Sequence, residues 1–102
     1  MPKLIVLYPT PVDPVSFEHR YRAEHVPLVQ GKIPGLRRFV AARVLGTPTG
    51  AASYQRVAEL YFDSVDSLRA AMASAEGQAA VGHATEISTG GAPVVLIAED
   101  DV

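Results

Sequence analysis

Three observations in this 102-residue chain predict an α+β fold of the ferredoxin-like plan, β-α-β-β-α-β. Four short apolar runs rich in branched residues read as strands, and two amphipathic stretches of helical period lie between the first and second and between the third and fourth. The strand runs are apolar at nearly every position rather than at alternate ones. The order gives an antiparallel four-stranded sheet with both helices on one face, and that lack of alternation makes both faces of the sheet apolar.

Lys3 to Tyr8 is the first strand, and Thr10 to Pro14 connects it to the first helix, with Asp13 as N-cap and Pro14 at the first helical position. Phe17, Tyr21, His25 and Leu28 share one helical face, so a tyrosine and a histidine sit on the stripe expected to be buried. Pro27 lies inside the last turns and frees the carbonyl of Ala23, and the helix is expected to reach about Gly31 before the Pro34-Gly35 turn. Glu18 and Arg22 form an i,i+4 pair suited to a solvated face. Arg37 to Leu45 and Gln55 to Phe62 read as a hairpin joined by the loop from Gly46. Ser64 caps the second helix with Asp66 in its first turn, and Val65, Leu68, Met72, Ala75 and Ala79 keep its period. Gly77 weakens it, Ser74 is positioned to cap a separate short helix, and residues 82–92 carry no clear pattern. Val94 to Ala98 is the last strand.

The chain is one domain, residues 1–102, and 48% hydrophobic against 20% charged residues makes it globular. A net charge of −2 gives no reason to expect nucleic acid or an anionic membrane as partner. With no cysteine, thiolate nucleophiles, thiolate metal sites and disulfides are excluded, as suits a reducing compartment. The apolar run near the start is too short for a signal peptide or a membrane span, so a soluble, cytoplasmic protein is expected. An apolar second sheet face needs a cover that a chain of this length does not supply, so an obligate homodimer, sheet on sheet, is expected.

Two segments carry a family resemblance: His25-Val26-Pro27-Leu28-Val29 with Ile33-Pro34-Gly35-Leu36-Arg37-Arg38, and Ala58-Glu59-Leu60-Tyr61-Phe62-Asp63-Ser64 with Leu68 to Met72 and Ser74-Ala75-Glu76-Gly77-Gln78. In their order and spacing the chain resembles the EthD family from Leu4 to the last strand. The resemblance implies a dimeric α+β barrel, in a superfamily that includes polyketide cyclases, lactone isomerases, cofactor-free monooxygenases and haem-binding enzymes. The family is named from an ethyl tert-butyl ether degradation cluster, in which its members look accessory. Fold alone therefore licenses little about function.

His25 is the leading candidate for a general acid or base, against the plainer reading of a histidine bonded to a backbone carbonyl near Pro27. Tyr21, one turn earlier, would assist as a donor or be core. Glu59, the one acid in an apolar strand, falls by parity on the face opposite the helix-packed set. It would act as a base or orient His25, or else pair with Arg37 or Arg43. Tyr8 and Tyr61 are candidate cavity residues with a structural role equally in view. His83 would reach a cavity if its stretch is a lid and is otherwise a solvated loop residue; His19 is off the stripe and expected to be exposed. His19 and His25, six apart, make no metal motif, Thr89-Gly90-Gly91 lacks the lysine of a phosphate loop, and Arg37-Arg38 is not a nucleic-acid patch. Three functions follow: a cofactor-independent enzyme acting on a small hydrophobic molecule, a non-catalytic ligand-binding or accessory protein, and, last, haem binding through His25 or His83.

Overall fold

The computed structural model describes residues 1–102, in the order β1 (Pro2–Pro9), α1 (Pro14–Arg20), a π-helical segment (Tyr21–His25), α2 (Val26–Val29), β2 (Arg38–Arg43), β3 (Tyr54–Tyr61), α3 (Val65–Ala73), α4 (Ala75–Ile87) and β4 (Val94–Glu99). The sheet is antiparallel with strand order β2-β3-β1-β4. This is the ferredoxin-like α+β plan, with β1 central because it pairs with both β3 and β4.

Alternation within each strand sets what faces the helices. Leu4, Val6 and Tyr8 of β1 and Ala58 and Leu60 of β3 are buried on that inner face, together with Phe62 just beyond β3. Phe17 and Tyr21 from the first helical region, Val29 of α2, Ile33 just beyond it, and Leu68, Ala71, Ala80, Ala84 and Ile87 from α3 and α4 complete the core. Each large apolar side chain buried this way contributes about 1.5–3 kcal/mol.

The first helix starts where the sequence places it, with the Asp13 carboxylate accepting from Val15 N (3.1 Å) and Ser16 N (3.2 Å). Its course differs from the regular helix expected. Before Pro27, which has no N–H to give, the turn widens, and the Val26 N–H bonds to the Tyr21 carbonyl, one residue further back than in an α-helix. The wider turn delays the buried stripe by one residue. After Phe17, Tyr21 and His25 the next buried residue is Val29, while Leu28, expected on the stripe, is only half-buried.

The second helical region is two helices. Ser74 ends α3 and caps α4 through Gly77 N (3.0 Å), which resets the phase, so Ala75 and Ala79 are exposed and Gly77, Ala80, Ala84 and Ile87 are buried. The patternless stretch expected from residue 82 is helical as far as Ile87. Gly77 is required there rather than tolerated: a Cβ would lie 2.1 Å from the Ala71 carbonyl oxygen.

Candidate functional site

The stripe of the first helix and the end of β1 together build an aromatic cluster. Phe17 stacks on Tyr21 (5.7 Å between ring centroids), Tyr21 on His25 (5.4 Å), and His25 on His83 of α4 (5.2 Å). Tyr8 meets Phe17, Tyr21 and His25 edge-on. Within this cluster the Tyr8 hydroxyl lies 3.2 Å from His25 Nε2, His25 Nδ1 lies 3.0 Å from His83 Nδ1, and His83 Nε2 lies 3.0 Å from Glu24 Oε1. Glu24 is bridged in turn by Arg20 at 3.0 Å, and Arg20 also pairs with Glu86. His25 therefore bonds two side chains and not the backbone carbonyl near Pro27.

Burial, with His83 adding to it, lowers the His25 pKa to about 4, so its imidazole is neutral at pH 7. Burial raises the Tyr8 phenol above its ordinary range and pushes Tyr21 up to about 12. The hydrogen bond from His83, reinforced by Arg20, holds the Glu24 carboxyl below the usual range.

Tyr8 and His25 form part of the wall of a cavity of about 350 Å³ between the inner sheet face and the helices. Leu4, Val6 and Leu60 line its floor, Val29 and Ile33 one side, and Ala80, Val81 and Ala84 of α4 the other. Tyr8, His25, Gln78 and Thr85 supply its polar side chains, and no Lys, Arg, Asp or Glu reaches it. Val95 of β4 lines it at 54% exposure, so the β4 flank is open.

The expected site residues separate into two groups. His25, Tyr8 and His83 come together, and the helical continuation of α4 brings His83 against His25 rather than leaving it in a solvated loop. Tyr21 stacks behind His25 without lining the cavity, and its hydroxyl is buried with no protein partner. Glu59 and Tyr61 lie on the opposite face of the sheet, as parity predicts for Glu59. There Tyr61 donates to Glu59 (2.8 Å) and Lys3 approaches Glu59 at 3.7 Å, so Glu59 pairs with neither Arg37 nor Arg43 and does not reach His25 within one protomer. Tyr61 correspondingly lines no part of the cavity. His19 is exposed.

Two participants are absent from the sequence-derived candidates. Glu24 has no signal beyond its place beside His25, because its role depends on α4 packing against this turn. Arg56 had one: it shares inner-face parity with Ala58 and Leu60. Its guanidinium is buried, binds Glu18 at 2.7 and 3.0 Å and lies 4.8 Å from the Tyr21 ring centroid. Glu18, expected on a solvated face, is thus tied inward and keeps only a 3.6 Å approach to Arg22. No three His, Cys, Asp or Glu side chains are grouped to hold a metal, and no helix is long and apolar enough to cross a membrane.

The EthD domain model matches residues 9–85. The chain belongs to the EthD family. An uncharacterised 11.0 kDa protein from the thcB–thcC intergenic region of Rhodococcus erythropolis is 34% identical over 102 residues, covering 100% of this chain and 98% of that one. The crystal structure of an EthD-family protein from Bacillus halodurans is 37% identical, covers 99% of each chain and superposes with a TM-score of 0.93. Two more distant structures share the fold. A dimeric ferredoxin-like protein of unknown function from Jannaschia is 19% identical (TM-score 0.70, 97% of each chain). SnoaB, a cofactor-independent oxygenase from Streptomyces nogalater, is 16% identical (TM-score 0.65, 97% of this chain and 91% of that one).

Proposed function

We propose that this EthD-family protein binds a small, uncharged, largely apolar organic molecule in the cavity, and that His25, with Tyr8, moves a proton on it without a cofactor. The observation that carries this reading is a neutral, buried histidine on the wall of an apolar cavity, its second nitrogen held by another histidine. Taking about 30 Å³ for each small group, the volume a water occupies in the liquid, the cavity accommodates about a dozen non-hydrogen atoms. Base-catalysed forms of isomerisation, cyclisation, lyase chemistry and cofactor-free oxygenation begin with such a proton transfer, and SnoaB is an oxygenase of the cofactor-independent kind on the same fold.

A thermal-shift panel of lactones, ethers and phenols tests the reading. Ligands of this size are expected to stabilise the wild type but not Ala80→Trp, whose indole fills the cavity. Equal stabilisation of both would place binding elsewhere. Turnover of a stabilising ligand should be lost in His25→Ala, and full retention removes His25 from the chemistry. A non-catalytic carrier is the second reading, favoured by one feature: no cation faces the cavity to stabilise a developing oxyanion. It predicts binding without turnover.

We further infer a homodimer through the outer sheet face. Ile5 and Leu7 of β1, Val57 of β3, Val40 of β2 and Leu96 of β4 lie there in register, and Leu96 is 50% exposed. A second copy packed sheet to sheet covers this face. Light scattering at micromolar concentration should give twice the 10.8 kDa chain mass, and a monomer would refute it.

A further inference from the structure

We infer that Tyr8, His25, His83 and Glu24 form a proton path between the cavity and solvent, that Glu24 is the positioning residue setting its polarity, and that the ligand is an uncharged phenol or enolisable carbonyl compound. This inference rests on the proposed reading of the cavity as a ligand site.

The polarity follows from the donor inventory. An ionised carboxylate only accepts, so the nitrogen of His83 facing Glu24, Nε2, must carry a hydrogen. His83 Nδ1 is then the one free choice. When it is bare, His25 must donate from Nδ1, its Nε2 is an acceptor, and Tyr8 donates to it. The Tyr8 oxygen then offers lone pairs to the cavity. When His83 Nδ1 also carries a proton, the two inner bonds reverse while Nε2 still donates to Glu24. His25 accepts at Nδ1, carries its hydrogen on Nε2 and donates to the Tyr8 oxygen, which leaves the Tyr8 O–H free for the cavity. A proton added at the outer end thus appears at the inner end, with no group moving and no gap longer than 3.2 Å.

In the forward direction the ligand's O–H or C–H bond breaks and its proton bonds to the Tyr8 oxygen. The Tyr8 proton passes to His25 Nε2, and the His25 Nδ1 proton passes to His83 Nδ1. The ligand keeps the electron pair, and no oxidant or reductant is required. The positive charge settles on His83, beside the Glu24 carboxylate and near solvent at 14% side-chain exposure, and not on His25, where burial penalises it. The surplus charge is then relieved at the outer nitrogen: the His83 Nε2 proton leaves by way of the Glu24 carboxylate to solvent, and a proton returns by the same route when the ligand is reprotonated. The ligand class follows from the walls: a carboxylate or phosphate would shed its water against a lining with no cation, whereas a phenol or enolisable carbonyl enters neutral and has a proton to give.

The test is ¹⁵N NMR of the imidazoles at about pH 8.5, two units above the ordinary histidine value of about 6.5. The wild type should show His25 protonated on Nδ1 and His83 on Nε2, each as a single tautomer. Glu24→Gln can donate to His83 Nε2, and Glu24→Lys has nothing to accept with, so both should populate the reversed pair. Because Glu24 is half exposed at the surface, neither exchange threatens the fold. Unchanged tautomers in both variants, or wild-type His25 protonated on Nε2, would overturn the path. A parallel thermal shift with naphthol and naphthoate separates the two layers. Naphthol should stabilise the wild type, and naphthoate should not. If naphthol fails with the tautomers as expected, the cavity reading falls. If naphthoate binds equally, the uncharged-ligand class falls.

Discussion

Acid should destabilise this protein first through His25, before the carboxylates of Glu18 and Glu24 are protonated. The side chain is 5% exposed, and its pKa falls from 6.5 to about 4 on folding. The unfolded chain therefore takes up this proton first as pH drops. His25 costs nothing above about pH 6.5, and below that stability declines by about 1.4 kcal/mol per pH unit until the folded state also titrates near pH 4. The total is roughly 3 kcal/mol, a large share of the 5–15 kcal/mol typical of a domain. It corresponds to a Tm drop of roughly 12 °C or more at about 4–8 °C per kcal/mol. The groups facing the imidazole are Tyr8 on β1, Tyr21 on its own helix and His83 on α4, with Glu24 behind His83. Urea unfolding at half-unit steps from pH 7.5 to 4.5, on wild type and His25→Gln, isolates the His25 contribution because the other groups are common to both. The glutamine variant should show a markedly flatter profile across this window. Parallel profiles would mean that His25 does not titrate abnormally, and the neutral base of the proposed site would go with it.

Tyr21→Phe removes a buried hydroxyl with no protein partner while keeping the ring under Arg56, so the variant should be as stable as wild type or up to about 1 kcal/mol more stable. A loss above 1 kcal/mol in urea unfolding would reveal a partner for that hydroxyl. Glu18→Gln leaves the Arg56 guanidinium, 7% exposed, without its counter-charge and should cost about 3 kcal/mol, with Arg56→Met less damaging because no unpaired charge remains. The reverse ranking by thermal melting would assign the pair a packing role only. Gly77→Ala drives a methyl into the Ala71 carbonyl and should cost about 1–3 kcal/mol by chemical denaturation. Unchanged stability would show that α3 and α4 can move apart.

Local physics made most of the framework legible in the sequence. Asp13, Ser64 and Ser74 each cap the helix they precede, because a short polar side chain satisfying free N–H groups needs no distant partner. Strand parity sent Glu59 to the face away from the helices for the same reason: alternation is a property of the extended chain itself. Residues 82–87 carry no legible helical pattern because alanine and glycine leave α4 with little hydrophobic contrast, and its helix is held by the close packing that Gly77 permits, whereas residues 88–92 are irregular as expected.

The sequence by itself determined the β-α-β-β-α-β order, both apolar sheet faces and the placement of His25 and Tyr21 on a buried stripe, since all three depend on spacing along the chain. Only the tertiary structure decided that Val29 rather than Leu28 follows His25 into the core, that His83 and Glu24 stand behind His25, and that Arg56 draws Glu18 inward. Those outcomes turn on a widened helical turn before Pro27 and on contacts between groups up to 59 residues apart, such as Glu24 with His83. Their energy exists only once the sheet has brought the two ends of the chain together.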